Sequence, residues 1–118
     1  MFGAVAGDVI GSAYEWNSVK KTDFELFTDK SRFTDDTVLT IATASALTSD
    51  LSYSEAYRHF AQQNRGAGYG GMFVRWVGEP NPTPYNSYGN GSAMRVSPVA
   101  WAFETIEQVL AEAKKSAE

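Results

Sequence analysis

Apolar side chains recur every three or four positions along nearly the whole chain, and no run shows the strict two-residue alternation of a half-buried strand. A chain patterned in this way can close a core only by laying helix against helix, so an all-α fold is expected. Its 118 residues suffice for one core, hence one domain or part of one. The hydrophobic share of 43% and the aromatic share of 14% place it far from the disordered class. Phe2, Val5, Val9, Ala13 and Trp16 draw one stripe, expected to be buried, on a first helix. Gly3, Gly7 and Gly11 draw a second at four-residue spacing. Each glycine costs about 1 kcal/mol relative to alanine inside a helix, so a register of them predicts a face that another backbone approaches closely. Asp8, Ser12 and Glu15 mark a third face, open to two readings: a solvated surface or part of a site.

Further helices follow. Val38, Leu39, Ile41, Ala42 and Leu47 define a second, ending near Ser49-Asp50. Ser52 and Glu55 form a capping box for a third, with Ala56, Tyr57, Phe60 and Ala61 inside and Arg58 and His59 toward water. His59 is the only histidine and is assigned no role. Met72, Phe73, Trp76 and Val77 predict a short helix that Gly78 ends before an irregular stretch with Pro80, Pro82 and Pro84. Thr105 and Gln108 form a second capping box, opening a last helix whose apolar face is Ile106, Val109, Leu110 and Ala113. The segment Arg65-Gly66-Ala67-Gly68-Tyr69-Gly70-Gly71 spells GxGxxG, but a helical pattern leads into it, where a dinucleotide fingerprint needs a strand. It is expected to be a loop.

Charge narrows the function classes. Ten Lys and Arg against fourteen Asp and Glu give a net charge of −4, without a basic run able to track a phosphate backbone, so nucleic-acid binding is excluded. The lack of cysteine fits a reducing compartment, and a cytoplasmic location is expected. Residues 2–14 are apolar, yet no Lys or Arg precedes them and Asp8 interrupts the run, so no signal peptide is read there. No stretch is long enough to span a bilayer, and no membrane partner is expected.

Two segments carry chemistry. In Phe33-Thr34-Asp35-Asp36-Thr37-Val38-Leu39-Thr40-Ile41, Thr34 can act as N-cap while Asp35 and Asp36 complement the helix dipole. The other reading is a hard-cation site. One carboxylate suffices for the dipole, and a second beside it brings repulsion that magnesium or manganese would relieve. No cysteine or histidine pair is available for zinc. In Gly89-Asn90-Gly91-Ser92-Ala93-Met94-Arg95-Val96-Ser97-Pro98, glycines around Asn90 lead into a helix and leave N–H groups free for an anionic oxygen, or else form an ordinary turn. Pro98 requires either a helix restart, with Ser97 as cap and Pro98 as first residue, or a kink.

Taken in order, Gly7-Asp8-Val9-Ile10-Gly11-Ser12-Ala13-Tyr14-Glu15, Phe33-Thr34-Asp35-Asp36-Thr37 and Gly89-Asn90-Gly91-Ser92-Ala93-Met94-Arg95 resemble the ADP-ribosylglycohydrolase family, which includes the dinitrogenase-reductase-activating glycohydrolases. The resemblance implies an orthogonal all-α helical bundle with a two-magnesium centre that hydrolyses the glycosidic bond between ADP-ribose and an acceptor, either a protein side chain or a small molecule. By the same resemblance Thr34, Asp35 and Asp36 are metal ligands. Glu15, the catalytic candidate, matches the glutamate on a mobile segment that closes over the metals and either polarises the attacking water or gates substrate entry, and Asn90, Gly91, Ser92 and Met94 match the loop that cradles the ADP-ribose. Family members are longer and complete the metal pair with a later aspartate-rich motif, whereas no Asp follows Asp50 here. Residues 1–118 are therefore expected to be the amino-terminal portion of a single domain, truncated, and to self-associate, to pair with a separate carboxy-terminal chain or to be only marginally folded. Two functions follow as expectations: the hydrolase, or its metal-contributing half, and a catalytically inactive remnant that binds ADP-ribose or a partner.

Overall fold

Between Asp36 and Asp50 the chain carries no charged residue, and the helix formed there is the one the others lean on. A computed structural model describes residues 1–118. Seven helices follow one another as α1 (Phe2–Ser12), α2 (Asp35–Thr48), α3 (Tyr53–Gln63), α4 (Gly71–Gly78), α5 (Gly91–Met94), α6 (Val99–Ala102) and α7 (Ile106–Ala117), with no strand. The fold is all-α, as the apolar spacing predicts, and no helix is long and apolar enough to cross a membrane.

Local sequence sets the helix starts. Thr34 takes an extended conformation at the N-cap of α2 and accepts from the Asp36 N–H. Both predicted capping boxes form, Ser52 with Glu55 at α3 and Thr105 with Gln108 at α7. Packing then converges on α2, which α1, α3, α5 and α6 all touch. Val38, Leu39 and Ala42 are buried on it together with Thr37, Thr40 and Thr43. Threonine suits a helix enclosed this way because its hydroxyl can bond within the helix, as Thr43 does to the Leu39 carbonyl at 2.9 Å. Leu39 and Ala42 meet Tyr53, Ala56 and Tyr57 in the central core, bordered by Phe60, Tyr69, Phe73, Trp76 and Met94. A clamp ties its far side: the Arg95 guanidinium lies 3.9 Å over the Tyr57 ring and donates to the Ser116 carbonyl at 3.0 Å. The cation thus joins the end of α5 to α3 and to the last turn of α7.

Several expectations fail, for a common reason. The α1 helix stops at Ser12, and Phe2 and Trp16 are 86% and 84% exposed, so the supposed apolar stripe is not the buried face. The polar face docks instead, because Asp8 and Ser12 satisfy N–H groups of residues 32–37. No heavy atom lies within 4 Å of where a side chain would grow from Gly3, Gly7 or Gly11, so no backbone of this chain approaches that stripe. On α7, Ile106 and Leu110 are 73% and 64% exposed while Ser116 is buried. Arg58 does not simply face water: it donates to the Val77 and Glu79 carbonyls at 3.4 and 2.7 Å and closes the carboxy end of α4. Pro98 occupies the N-cap position of α6, one residue from the expected restart.

The contrast between these leucines is measurable. Leu39→Ala should cost about 3 kcal/mol, because its side chain fills the core, whereas Leu110→Ala should stay within about 0.5 kcal/mol. Urea denaturation of the two variants checks both.

Candidate functional site

The acidic turn at the start of α2 is organised by a residue from α1. Asp8 accepts from the Thr34 N–H at 2.8 Å and the Thr34 hydroxyl at 2.5 Å. It also accepts from the Thr37 N–H at 3.1 Å and the Thr37 hydroxyl at 2.5 Å. On the other side the Asp35 N–H donates to the Ala67 carbonyl at 2.8 Å. This brings the 65–71 loop against the helix start, with Gly68 at φ +103°, a torsion that side chains rarely adopt. The segment spelling GxGxxG is thus a loop packed on the candidate site, with no strand before it.

The electrostatics are strained by design of the sequence. The Asp35 carboxyl is held above its ordinary range, chiefly by burial and then by the Asp36 charge, with Asp8 and Glu15 adding to it and its backbone hydrogen bond opposing. Burial, then Asp8, raises Asp36 as well, opposed by the Thr34 hydroxyl and a backbone bond. Tyr69, whose hydroxyl is buried without a partner, is pushed up to about 12 by burial and by Asp35. A hard cation would relieve this repulsion, and Thr34, Asp35 and Asp36 offer it oxygen donors only. The set is partial, however, since no three His, Cys, Asp or Glu side chains converge closely enough to hold a metal ion. Both oxygens of Asp8 are engaged by threonines, and Glu15 is exposed in the turn after α1.

A cavity of about 990 Å³ borders this centre. Asp35 contributes to its lining, as do Asn90, Gly91, Ser92 and Met94, so the fold brings one predicted metal ligand and the predicted binding loop to the same space. Glu15, Thr34 and Asp36 lie outside that lining. In the loop, the Ala93 and Met94 N–H groups turn back to the Asn90 carbonyl at 2.8 and 3.1 Å, while those of Gly91 and Ser92 have no acceptor within the chain. Aromatic rings from Tyr57, Phe73, Trp76 and Tyr85 form much of the remaining wall. The sequence reading missed the part Asp8 plays, although its spacing from Ser12 placed both on one face. It also missed Tyr69 and Arg95, whose positions depend on contacts far apart in the chain.

The raised Asp35 carboxyl has a consequence for stability. A carboxyl that holds its proton more tightly in the folded state destabilises that state once pH exceeds its folded value, and the cost vanishes below the unfolded one. In chelator-treated buffer, Asp35→Asn should therefore melt higher than the parent at pH 7, and the difference should close as pH falls below the ordinary carboxylate range. Thermal melts across pH read this directly.

ADP-ribosylhydrolase ARH3 of Mus musculus is 30% identical, with 98% of this chain and 41% of the mouse protein aligned. The Bos taurus ADP-ribosylhydrolase ARH3 is 31% identical with the same coverage. The chain thus spans 41% of the length of these curated relatives. No solved structure matches it significantly. The family model described as ADP-ribosylglycohydrolase matches residues 1–118, the whole of the sequence, and the chain belongs to the ADP-ribosylglycohydrolase family.

Proposed function

We propose that this chain supplies the Thr34-Asp35-Asp36 centre and the ADP-ribose loop of a magnesium-dependent hydrolase, which cleaves the glycosidic bond between ADP-ribose and an acceptor on a protein or small molecule. The observation that carries the reading is the shared cavity, lined by Asp35 and by Asn90, Gly91, Ser92 and Met94. Magnesium or manganese, when bound, would supply positive charge to orient ribose hydroxyls and to acidify water. Thr34, Asp35 and Asp36, at the start of α2, would hold it. The free N–H groups of Gly91 and Ser92 suit an anionic oxygen of the ADP-ribose. Glu15 follows the end of α1 in an exposed turn, and its charge already acts on Asp35, so movement of the 13–33 segment brings its carboxylate within reach of the attacking water. There it takes the water proton as oxygen bonds to the anomeric carbon, and the acceptor leaves with a proton.

A second reading, a non-catalytic ADP-ribose-binding or interaction module, is favoured by one observation: three metal-holding side chains do not converge. Release of free ADP-ribose from modified arginine and serine substrates separates the two. Turnover supports the hydrolase; ADP-ribose binding without release supports the module. Where turnover is found, Glu15→Gln should lower it by about 100-fold or more without moving the melting temperature, since the side chain is exposed. Magnesium and manganese should bind weakly to the chain, and Asp35→Asn with Asp36→Asn should abolish that binding in calorimetry. A tight site indifferent to both substitutions would remove Thr34, Asp35 and Asp36 from the metal centre.

A further inference from the structure

We infer that Asp8 is a positioning residue: its carboxylate fixes the Thr34 hydroxyl and the first turn of α2, so that Thr34, Asp35 and Asp36 are presented together to a hard cation. The inference rests on the metal reading proposed above and adds to it a residue that contributes no ligand itself. Asp8 stands on α1, 26 residues before Thr34 and 29 before Thr37, and receives four hydrogen bonds from these two threonines. Each is charge-assisted, the class of hydrogen bond with the greatest strength and directionality.

The Thr34 hydroxyl has one proton. Its 2.5 Å bond to Asp8 Oδ1 claims that proton, for the alternative contact to Asp36 Oδ2 is 3.5 Å long. The lone pairs of Thr34 Oγ1 therefore turn away from Asp8. One meets the Asp36 N–H at 3.4 Å, and the other remains for a cation. A hydroxyl that donates to a carboxylate also carries more negative charge on its oxygen and so becomes a stronger ligand, which is how groups behind a ligand shell commonly act. Oδ2 meanwhile holds the Thr34 N–H at 2.8 Å, the Thr37 N–H at 3.1 Å and the Thr37 hydroxyl at 2.5 Å. These last bonds fix the helix turn on which Asp35 and Asp36 sit. Asparagine at position 8 would preserve the shape, but its NH₂ group cannot accept from a hydroxyl or an amide.

The test uses the full 118-residue chain and manganese as probe. In Asp8→Asn, manganese affinity by calorimetry should fall about tenfold or more, and the Thr34 and Thr37 amide protons should lose their downfield NMR positions and their protection from exchange. In a Thr34→Val background the further loss from Asp8→Asn should be smaller than in the parent, since the bond to the Thr34 hydroxyl is already gone while those from the two amides and the Thr37 hydroxyl remain. Affinity within twofold of the parent, or equal losses with and without the Thr34 hydroxyl, would overturn the inference. If the parent chain itself binds no manganese, the metal reading falls, and the amide signals alone decide: unchanged positions and exchange in Asp8→Asn overturn the positioning role, while their loss upholds it. Where far-UV circular dichroism shows Asp8→Asn unfolded, Asp8→Glu is read by the same criteria, because it keeps the charge and displaces it by one methylene.

Discussion

Everything in this molecule is arranged around a helix enclosed on several sides. A helix with charge at only one end has no solvent-facing stripe to offer, and α2 accordingly receives α1, α3, α5 and α6. Small residues make the enclosure possible. Ala42 on α2 and Ala56 on α3 are fully buried and let the two helices approach, while Tyr53 and Tyr57 fill the space beyond them. The same enclosure puts the acidic start of α2 under a roof built from α1 and the 65–71 loop.

That placement sets stability against chemistry. Two adjacent carboxylates partly removed from water both hold their protons more tightly than usual, Asp35 through burial and the charges of Asp36, Asp8 and Glu15, Asp36 through burial and Asp8, and they gain nothing for the fold that one carboxylate would not provide. A backbone hydrogen bond at each carboxyl, and the Thr34 hydroxyl at Asp36, offset part of the cost. The remainder stays as local tension at the start of α2, where no three His, Cys, Asp or Glu side chains converge to share it.

Much of the fold was legible because it is written locally. Capping boxes at Ser52 and Thr105, the Thr34 cap and the glycine ending α4 depend on neighbours within a turn, and each stands where the residue types indicate. Faces were harder to read. Apolar periodicity on α1 and α7 identifies a side able to be buried, but which side docks depends on what the partner surface needs. Unsatisfied amides around Thr34 drew the Asp8–Ser12 face inward and left Phe2 outside. The Arg95 clamp and the partnerless Tyr69 hydroxyl were invisible for the same reason, since both arise from segments distant in sequence. The motif resemblance pointed to the acidic turn and the Asn90 loop, while the sharing of one cavity by Asp35 and that loop emerges only in three dimensions.

A helix start usually welcomes anions, because its first amides lack partners. At α2 those amides are all occupied: Thr34 and Thr37 donate to Asp8, Asp35 to the Ala67 carbonyl, and Asp36 to the Thr34 hydroxyl. Carboxylates stand where an anion would approach. A stray phosphate or sulfate arriving from solvent finds no donor there and meets negative charge, so this terminus discriminates by sign before any ligand is recognised by shape. Open amides lie instead at the Asn90 loop, where those of Gly91 and Ser92 have no partner within the chain.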